Sequence, residues 1–207
     1  MINDKAITSL VSILMFFVFS SNAQGSWEID KNRDGIRVYT RVEAGSDFKA
    51  FKAIMLTEAS SVEIIQILMD ADNYTSWYGF TKTSKLLKHD QGEQYNYVET
   101  IFPWPYKNRD MVYKMSIDSS NVDGIKIHLL GIPNYIPARK RIVRMKKAEG
   151  YILLKTLNNN TEITYVFHSE PGETIPAWLA NNSIAELPFQ TLSGLRRVLQ
   201  SKHHGRQ

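Results

Sequence analysis

The side chains best suited to catalysis are three histidines on different predicted strands, His89, His128 and His168. No His-x-His or His-Glu-x-x-His spacing involves any of them, so the sequence has no local metal motif. The chain has no cysteine, which excludes thiolate nucleophiles and zinc-thiolate ligands, and it lacks a Gly-x-Ser-x-Gly motif. A Ser-His-Asp triad is assembled only by the fold and stays open. We therefore predict no metal, no cofactor and a binding protein rather than an enzyme.

Arg109 and Asp110 are adjacent charges at the start of a predicted strand, after the string Pro103-Trp104-Pro105. Neighbouring residues of a strand point to opposite faces of the sheet, so these two side chains are not expected to act together. A charge that faces the interior needs a partner, because burying it alone is costly. We predict that Glu99, on the preceding strand, pairs with Arg109 across the hairpin.

The segment 131–141 joins apolar residues to basic ones: Ile132, Tyr135 and Ile136 precede Arg139, Lys140 and Arg141. Apolar insertion combined with attraction to anionic headgroups is how a peripheral protein docks on a membrane. Pro133 and Pro137 stiffen the segment. The pattern predicts a transient membrane contact. The alternative is an ordinary turn in which Arg141 already belongs to the next strand.

Residues 1–23 have the pattern of a signal peptide. Lys5 precedes an apolar run over residues 10–19, and Ser21-Asn22-Ala23 supplies the small residues of a cleavage site. The run is about half the roughly 20 residues that a membrane-spanning helix needs. We predict cleavage after Ala23 and export to the periplasm or the medium. With no cysteine, neither a lipoprotein anchor nor a disulfide supports the exported chain.

The rest of the chain, residues 24–207, is predicted to be one α+β domain. Two strands at 36–42 and 48–57 precede a helix that begins with the capping box Ser60 and Glu63. About seven antiparallel strands follow, including separate strands at 141–147 and 151–157, and a long terminal helix that Pro188 kinks or splits. The net charge of +4 is too small and dispersed for a nucleic-acid binder.

Several strings in this order resemble the START domain, the lipid-transfer module related to steroidogenic acute regulatory protein. They are the run 34–41, the segment around Trp77, Pro103-Trp104-Pro105 with Asn108-Arg109-Asp110, and Pro171-Gly172 before residues 175–179. The resemblance implies a helix-grip fold, a curved antiparallel sheet around a long C-terminal helix that encloses an apolar tunnel. It also implies a lipid-like ligand, with residues 131–140 as the gating loop over the tunnel mouth.

On this fold the candidate ligand-binding residues are those expected to line the tunnel: Trp77, Tyr97, Glu99, Arg109, Tyr113, Met115, Trp178, Ile184, Leu187, Leu192 and Leu195. The alternative for each of them is that it fills the core. Sterol-carrying members of the family have an arginine in the tunnel, and the matching position here is Met115. This departure argues against cholesterol as the ligand.

Three functions remain open from the sequence. The first is a monomeric carrier of a lipid, sterol-like molecule or phospholipid that contacts membranes transiently. The second is a helix-grip enzyme, a cyclase or hydrolase that acts on an apolar substrate and needs a polar pair deep in the tunnel. The third is a binding module whose tunnel has closed below roughly 300 Å³, the lower end of ligand pockets.

Overall fold

The computed structural model describes residues 25–172 and 175–204, and its largest feature is one sheet of ten strands. The predicted signal peptide and cleavage site lie outside these residues. The ten strands are β1 (Glu28–Arg33), β2 (Ile36–Val42), β3 (Lys49–Thr57), β4 (Thr81–Asp90), β5 (Glu93–Thr100), β6 (Arg109–Asp118), β7 (Ile125–Gly131), β8 (Val143–Arg144), β9 (Lys147–Leu157) and β10 (Asn160–Glu170).

The strand order in the sheet is β1-β2-β3-β10-β9-β7-β6-β5-β4, and every neighbouring pair in it is antiparallel. The short β8 lies off this path and pairs in parallel with the start of β6, where β7 does not reach. Alternate residues of the central strands face a common core, as the period of a strand requires. This arrangement confirms the predicted α+β helix-grip fold.

In the described part of the chain three α-helices accompany the sheet: α1 (Ser61–Met69), α2 (Ala177–Ser183) and α3 (Glu186–His204). The predicted capping box starts α1, since Ser60 and Glu63 hydrogen-bond reciprocally. The predicted terminal helix is split, and Pro188 supplies the reason. Proline has no N–H for the carbonyl of Ile184, four residues earlier, and the chain breaks there between α2 and α3.

Two predictions about the strands were wrong. β1 was missed because its residues are mostly charged and exposed, as is common at a sheet edge. The strands expected at 141–147 and 151–157 are not separated by a turn at Gly150, since β9 runs through this residue. A side-chain carbon at Gly150 would lie 2.2 Å from the backbone oxygen of Val166, so the glycine permits a close approach of β9 to β10. Within the described residues no helix is both long and apolar enough to span a bilayer.

Candidate ligand-binding cavity

A cavity of about 520 Å³ lies between the α2–α3 break and one end of the sheet. Apolar side chains make up most of its wall, and aromatic rings are prominent among them. The apolar and aromatic lining residues are Phe48, Phe51, Phe80, Ile101, Phe102, Pro103, Tyr106, Met145, Phe167, Pro171, Ile175, Leu179, Ala180, Ile184 and Leu187; the polar ones are Lys49, Thr100, Ser169, Asn181, Ser183 and Glu186.

One wall of the cavity is the connection between β5 and β6, which contains Pro103-Trp104-Pro105. Asn108 Oδ1 accepts from the backbone N–H of Phe102 at 3.3 Å, and Asn108 Nδ2 donates to Glu99 at 2.7 Å. Arg109 Nε donates to the carbonyl oxygen of Pro171 at 3.0 Å, and the guanidinium stacks 4.7 Å from the Phe102 ring. The Asn-Arg motif therefore fixes the cavity wall to the end of β10.

The predicted ion pair between Glu99 and Arg109 is not formed. Glu99 instead pairs with Lys82 at 3.1 Å and accepts from Asn108, while Arg109 donates to the carbonyls of Lys107 and Pro171. The register explains the difference, because Glu99 lies opposite Asp110 and so shares its face, whereas Arg109 lies opposite Thr100 on the other face. Burial lowers the pKa of Arg109 from its ordinary value.

Asp110 faces away from the cavity and forms a two-point ion pair with Arg144. The Nε–Oδ1 and Nη2–Oδ2 distances are 2.8 and 3.0 Å. Arg144 Nη1 also donates to the carbonyl oxygens of Pro133 and Ile136. A single buried arginine thus attaches the 131–141 segment to β6.

The same segment covers the outer face of the sheet. Tyr135 stacks on Tyr95 at 4.8 Å, and Arg139 lies 4.4 Å from the Tyr97 ring. Both of these β5 tyrosines alternate with Thr100, which lines the cavity, and therefore point to the opposite face. Burial, together with the nearby Asp110 carboxylate, raises the pKa of Tyr97 to about 12.

A family model of the START domain matches residues 21–204. The chain belongs to the START domain family. A STAR-related lipid transfer protein from Xanthomonas axonopodis is similar in structure, with a TM-score of 0.79, 36% identity and coverage of 84% of this chain and 98% of that one. An uncharacterized protein of Pseudomonas aeruginosa is 31% identical over 196 residues, 94% of this chain and 96% of its own. Human phosphatidylcholine transfer protein is 25% identical over 167 residues, 77% of each chain.

The predicted ligand-binding residues of this START domain fall into three places. Ile184 and Leu187 line the cavity, and Trp178 lies exposed next to the lining residue Leu179. In the core, outside the cavity lining, are Trp77, Tyr113, Met115, Leu192 and Leu195. On the outer face are Tyr97 and Glu99, while Arg109 is buried behind Phe102. Whether any of them contacts a ligand stays a prediction.

The predicted gating loop does not lie over the cavity of this START domain. None of Ile132, Tyr135, Ile136, Arg139 and Lys140 is among the described residues that line it. The segment had the expected mixture of apolar and basic residues, but Arg144 and the β5 tyrosines hold it on the outer face.

The residues that the sequence did not single out are the phenylalanines of the cavity. Phe51 and Phe167 come from the paired strands β3 and β10, and Phe80 and Phe102 come from the ends of β4 and β5. The alternation of strand residues places Phe51 and Phe167 on an inward face but does not separate a cavity wall from a packed core. Among the described residues no group of three or more His, Cys, Asp or Glu is placed to hold a metal ion.

Proposed function

We propose that this START domain binds one hydrophobic molecule, a lipid or lipid-like compound, in the cavity and carries it between membranes. The observation that carries the proposal is the cavity itself, about 520 Å³ with a mainly apolar wall. This volume is within the range of about 300–1,000 Å³ that is typical of ligand pockets. The names of two relatives, a lipid transfer protein and a phosphatidylcholine transfer protein, support the same ligand class.

The membrane contact that we propose is at the rim of the cavity, formed by Phe80, Ile101, Trp104 and Trp178. Phe80 and Ile101 line the cavity yet are 45% and 50% exposed, and Trp104 and Trp178 beside it are 92% and 65% exposed. Clustered exposed apolar side chains mark interaction surfaces, and tryptophan is favoured at membrane interfaces. Val122 is equally exposed but lies in the turn between β6 and β7, so it provides a matched control for the rim.

Opening of the cavity is proposed to involve α2. This helix contributes lining residues but has no buried residue of its own. Asn181 attaches it to the start of β3, since its Oδ1 accepts from Lys49 N and its Nδ2 donates to Asp47 O, both at 2.9 Å. Few buried contacts make a segment inexpensive to displace. Movement of α2 would expose the wall formed by Leu179 and Ala180.

The basic segment is proposed to add electrostatic attraction to the membrane. Residues 132–148 contain six Lys or Arg and no Asp or Glu, although the whole chain has a net charge of only +4. Lys140, Arg141 and Lys146 are exposed. Such a segment attracts anionic lipids by about 1 kcal/mol per basic residue near the surface. Export after cleavage at Ala23 and a monomeric state complete the proposal.

The test is to purify the full chain from its native host and identify bound small molecules by mass spectrometry. Ala180→Trp, which places an indole in the cavity, is expected to abolish ligand retention. Ala177→Trp is the matched control, because Ala177 lies on the same helix but outside the lining. The control is expected to retain the ligand.

The proposal fails if the unaltered protein retains no lipid and added lipids do not raise its melting temperature. It also fails if Ala180→Trp retains the same ligand at the same stoichiometry. Transfer of a fluorescent lipid between donor and acceptor vesicles tests the carrier function separately.

A further inference from the structure

Two tyrosine hydroxyls meet in the interior of the domain. The hydroxyl oxygens of Tyr78 and Tyr165 are 2.5 Å apart, and either can be the donor. Each phenol has one proton, so a bond between two phenols uses only one of the two protons. Among the described residues no further acceptor is recorded for either hydroxyl. One O–H donor therefore remains available inside the protein.

Two more tyrosines, Tyr74 and Tyr113, face the same interior. We call Tyr74, Tyr78, Tyr113 and Tyr165 the hydroxyl cluster. Burial raises the pKa of Tyr113 well above its ordinary value, and the neighbouring Tyr74 and Tyr78 hydroxyls add to the effect. Tyr74 donates to the carbonyl of Leu68 at the end of α1, and Tyr113 donates to the Tyr74 hydroxyl, so the protons of both phenols are used. The phenols of the cluster are neutral at physiological pH, and the one unused donor is the proton left over from the Tyr78–Tyr165 bond.

The Asn96 side-chain amide is a second donor without an acceptor, and it lies on the same face of the sheet as Tyr113. Asn96 lies directly opposite Tyr113 in the pairing of β5 with β6, and its side chain is fully buried. Gln94 Nε2 donates to both the Met69 carbonyl and Asn96 Oδ1, each at 2.9 Å, which fixes the orientation of both amides. Asn96 Nδ2 is then left with no partner among the described residues. A buried unpaired donor calls for a bound water or a ligand oxygen.

The hydroxyl cluster lies next to the cavity. The Tyr165 ring packs edge-on against Phe51 with 4.9 Å between ring centroids, and it lies 6.0 Å from the Phe167 ring. Both phenylalanines line the cavity. Tyr78 is two residues before Phe80, another lining residue. A ligand that displaces the Phe51 ring would reach the tyrosine hydroxyls with its inner end.

The chemistry of this region selects an uncharged oxygen. Its unused groups are donors, so a ligand must bring an acceptor. The cluster contains no charged side chain, and Arg109, the nearby buried cation, does not line the cavity and is bonded to the carbonyls of Lys107 and Pro171. Burying a carboxylate, phosphate or ammonium without a counter-charge is costly.

We propose that the unused O–H of the Tyr78–Tyr165 pair binds the uncharged oxygen end of the ligand, a hydroxyl or a carbonyl, while its apolar body fills the cavity. This inference rests on the proposed function and narrows it. The protein would carry a neutral lipid with one hydrogen-bonding end, inserted with that end innermost. A phospholipid headgroup would not be accommodated there.

The test compares three fluorescent probes of equal chain length: pyrene-decanol, decylpyrene and pyrene-decanoate. The full-length protein is expected to bind the alcohol about fivefold more tightly than the alkane, the factor of one neutral hydrogen bond. The acid, ionised at neutral pH, is expected to bind more weakly than the alcohol. The double variant Tyr78→Phe/Tyr165→Phe should bind alcohol and alkane alike, with its alkane affinity unchanged. Removing both partners together leaves no unpaired hydroxyl and preserves the fold.

A matched control is Tyr95→Phe, which removes a phenol from the outer face and should keep the preference for the alcohol. If the unaltered protein binds the alcohol and the alkane equally, or if the double variant keeps the preference, the polar subsite is refuted and the carrier function stands. Tighter binding of the acid than of the alcohol would also refute it. Failure to bind any probe would refute the carrier function itself.

Discussion

Replacing Arg144 by methionine should destabilise this START domain by about 3–5 kcal/mol, the cost of leaving a buried charge without its partner. The side chains of Arg144 and Asp110 are 8% and 1% exposed, and two hydrogen bonds of 2.8 and 3.0 Å join them. The variant also removes the donor that serves the carbonyls of Pro133 and Ile136. For a domain of this size, the melting temperature should fall by about 6–20 °C.

Urea denaturation followed by tryptophan fluorescence measures this cost. The double variant Asp110→Leu/Arg144→Met should recover most of the lost stability, because an apolar pair can replace a buried ion pair at little cost. The control Lys88→Met breaks the exposed pair of Lys88 with Asp90 and should leave the stability nearly unchanged.

A single-variant cost below about 1 kcal/mol would refute the reasoning, because it would mean that Asp110 is hydrated. Additive costs in the double variant would also refute it, because they would show that the two charges are not coupled. Below its melting temperature, Arg144→Met should still retain ligand. The loop that Arg144 holds is on the outer face of the sheet, away from the cavity.

Three further predictions concern single sites. Gly194→Ala should lower the melting temperature, although alanine favours helix, because its side-chain carbon would lie 2.0 Å from the Trp77 carbonyl oxygen; an unchanged value would contradict the close approach. Burial raises the pKa of Tyr78 to about 12 from 10.0, so the stability present below pH 10 should fall as the pH rises to 12. Between pH 10 and pH 12 the free energy of unfolding of Tyr78→Phe, measured by urea titration, should fall by about 2 kcal/mol less than that of the unaltered protein. An equal fall in both proteins would contradict the raised pKa of Tyr78. Trp104→Ser and Trp178→Ser should each lower the affinity for lipid vesicles about tenfold in a sedimentation assay. Val122→Ser should leave this affinity unchanged.

The sequence was sufficient for most of the fold, because its local signals agree with one another. The capping box at Ser60, the alternation in the central strands and the proline in the last helix each determine a local structure without help from the rest of the chain. β1 was not predicted, because this edge strand has mostly charged and exposed residues rather than an alternating apolar pattern. At Gly150 the glycine looked like a turn, since a turn and a tight strand contact favour the same residue.

The site was harder to predict because it depends on the gap between elements. Ile184 and Leu187 line the cavity, but Leu192 and Leu195, on the same apolar stripe, are core. The stripe is continuous in sequence, and the cavity wall ends inside α3, after Leu187. The predicted Glu99–Arg109 pair failed for a related reason. The register places Arg109 opposite Thr100, and a one-residue difference reverses the face of a strand residue.

The position of the 131–141 segment changes which element is expected to open. This segment is attached by the buried Arg144 and by contacts with two β5 tyrosines, so displacing it means breaking the Asp110 ion pair. In α2 no residue is buried, and the side-chain attachment recorded for it is the pair of hydrogen bonds made by Asn181. Local opening takes place where the fewest buried contacts are lost. Opening at α2 is therefore less costly than opening at the 131–141 segment, and it would expose the cavity beside the tryptophan-rich rim where a membrane would supply the ligand.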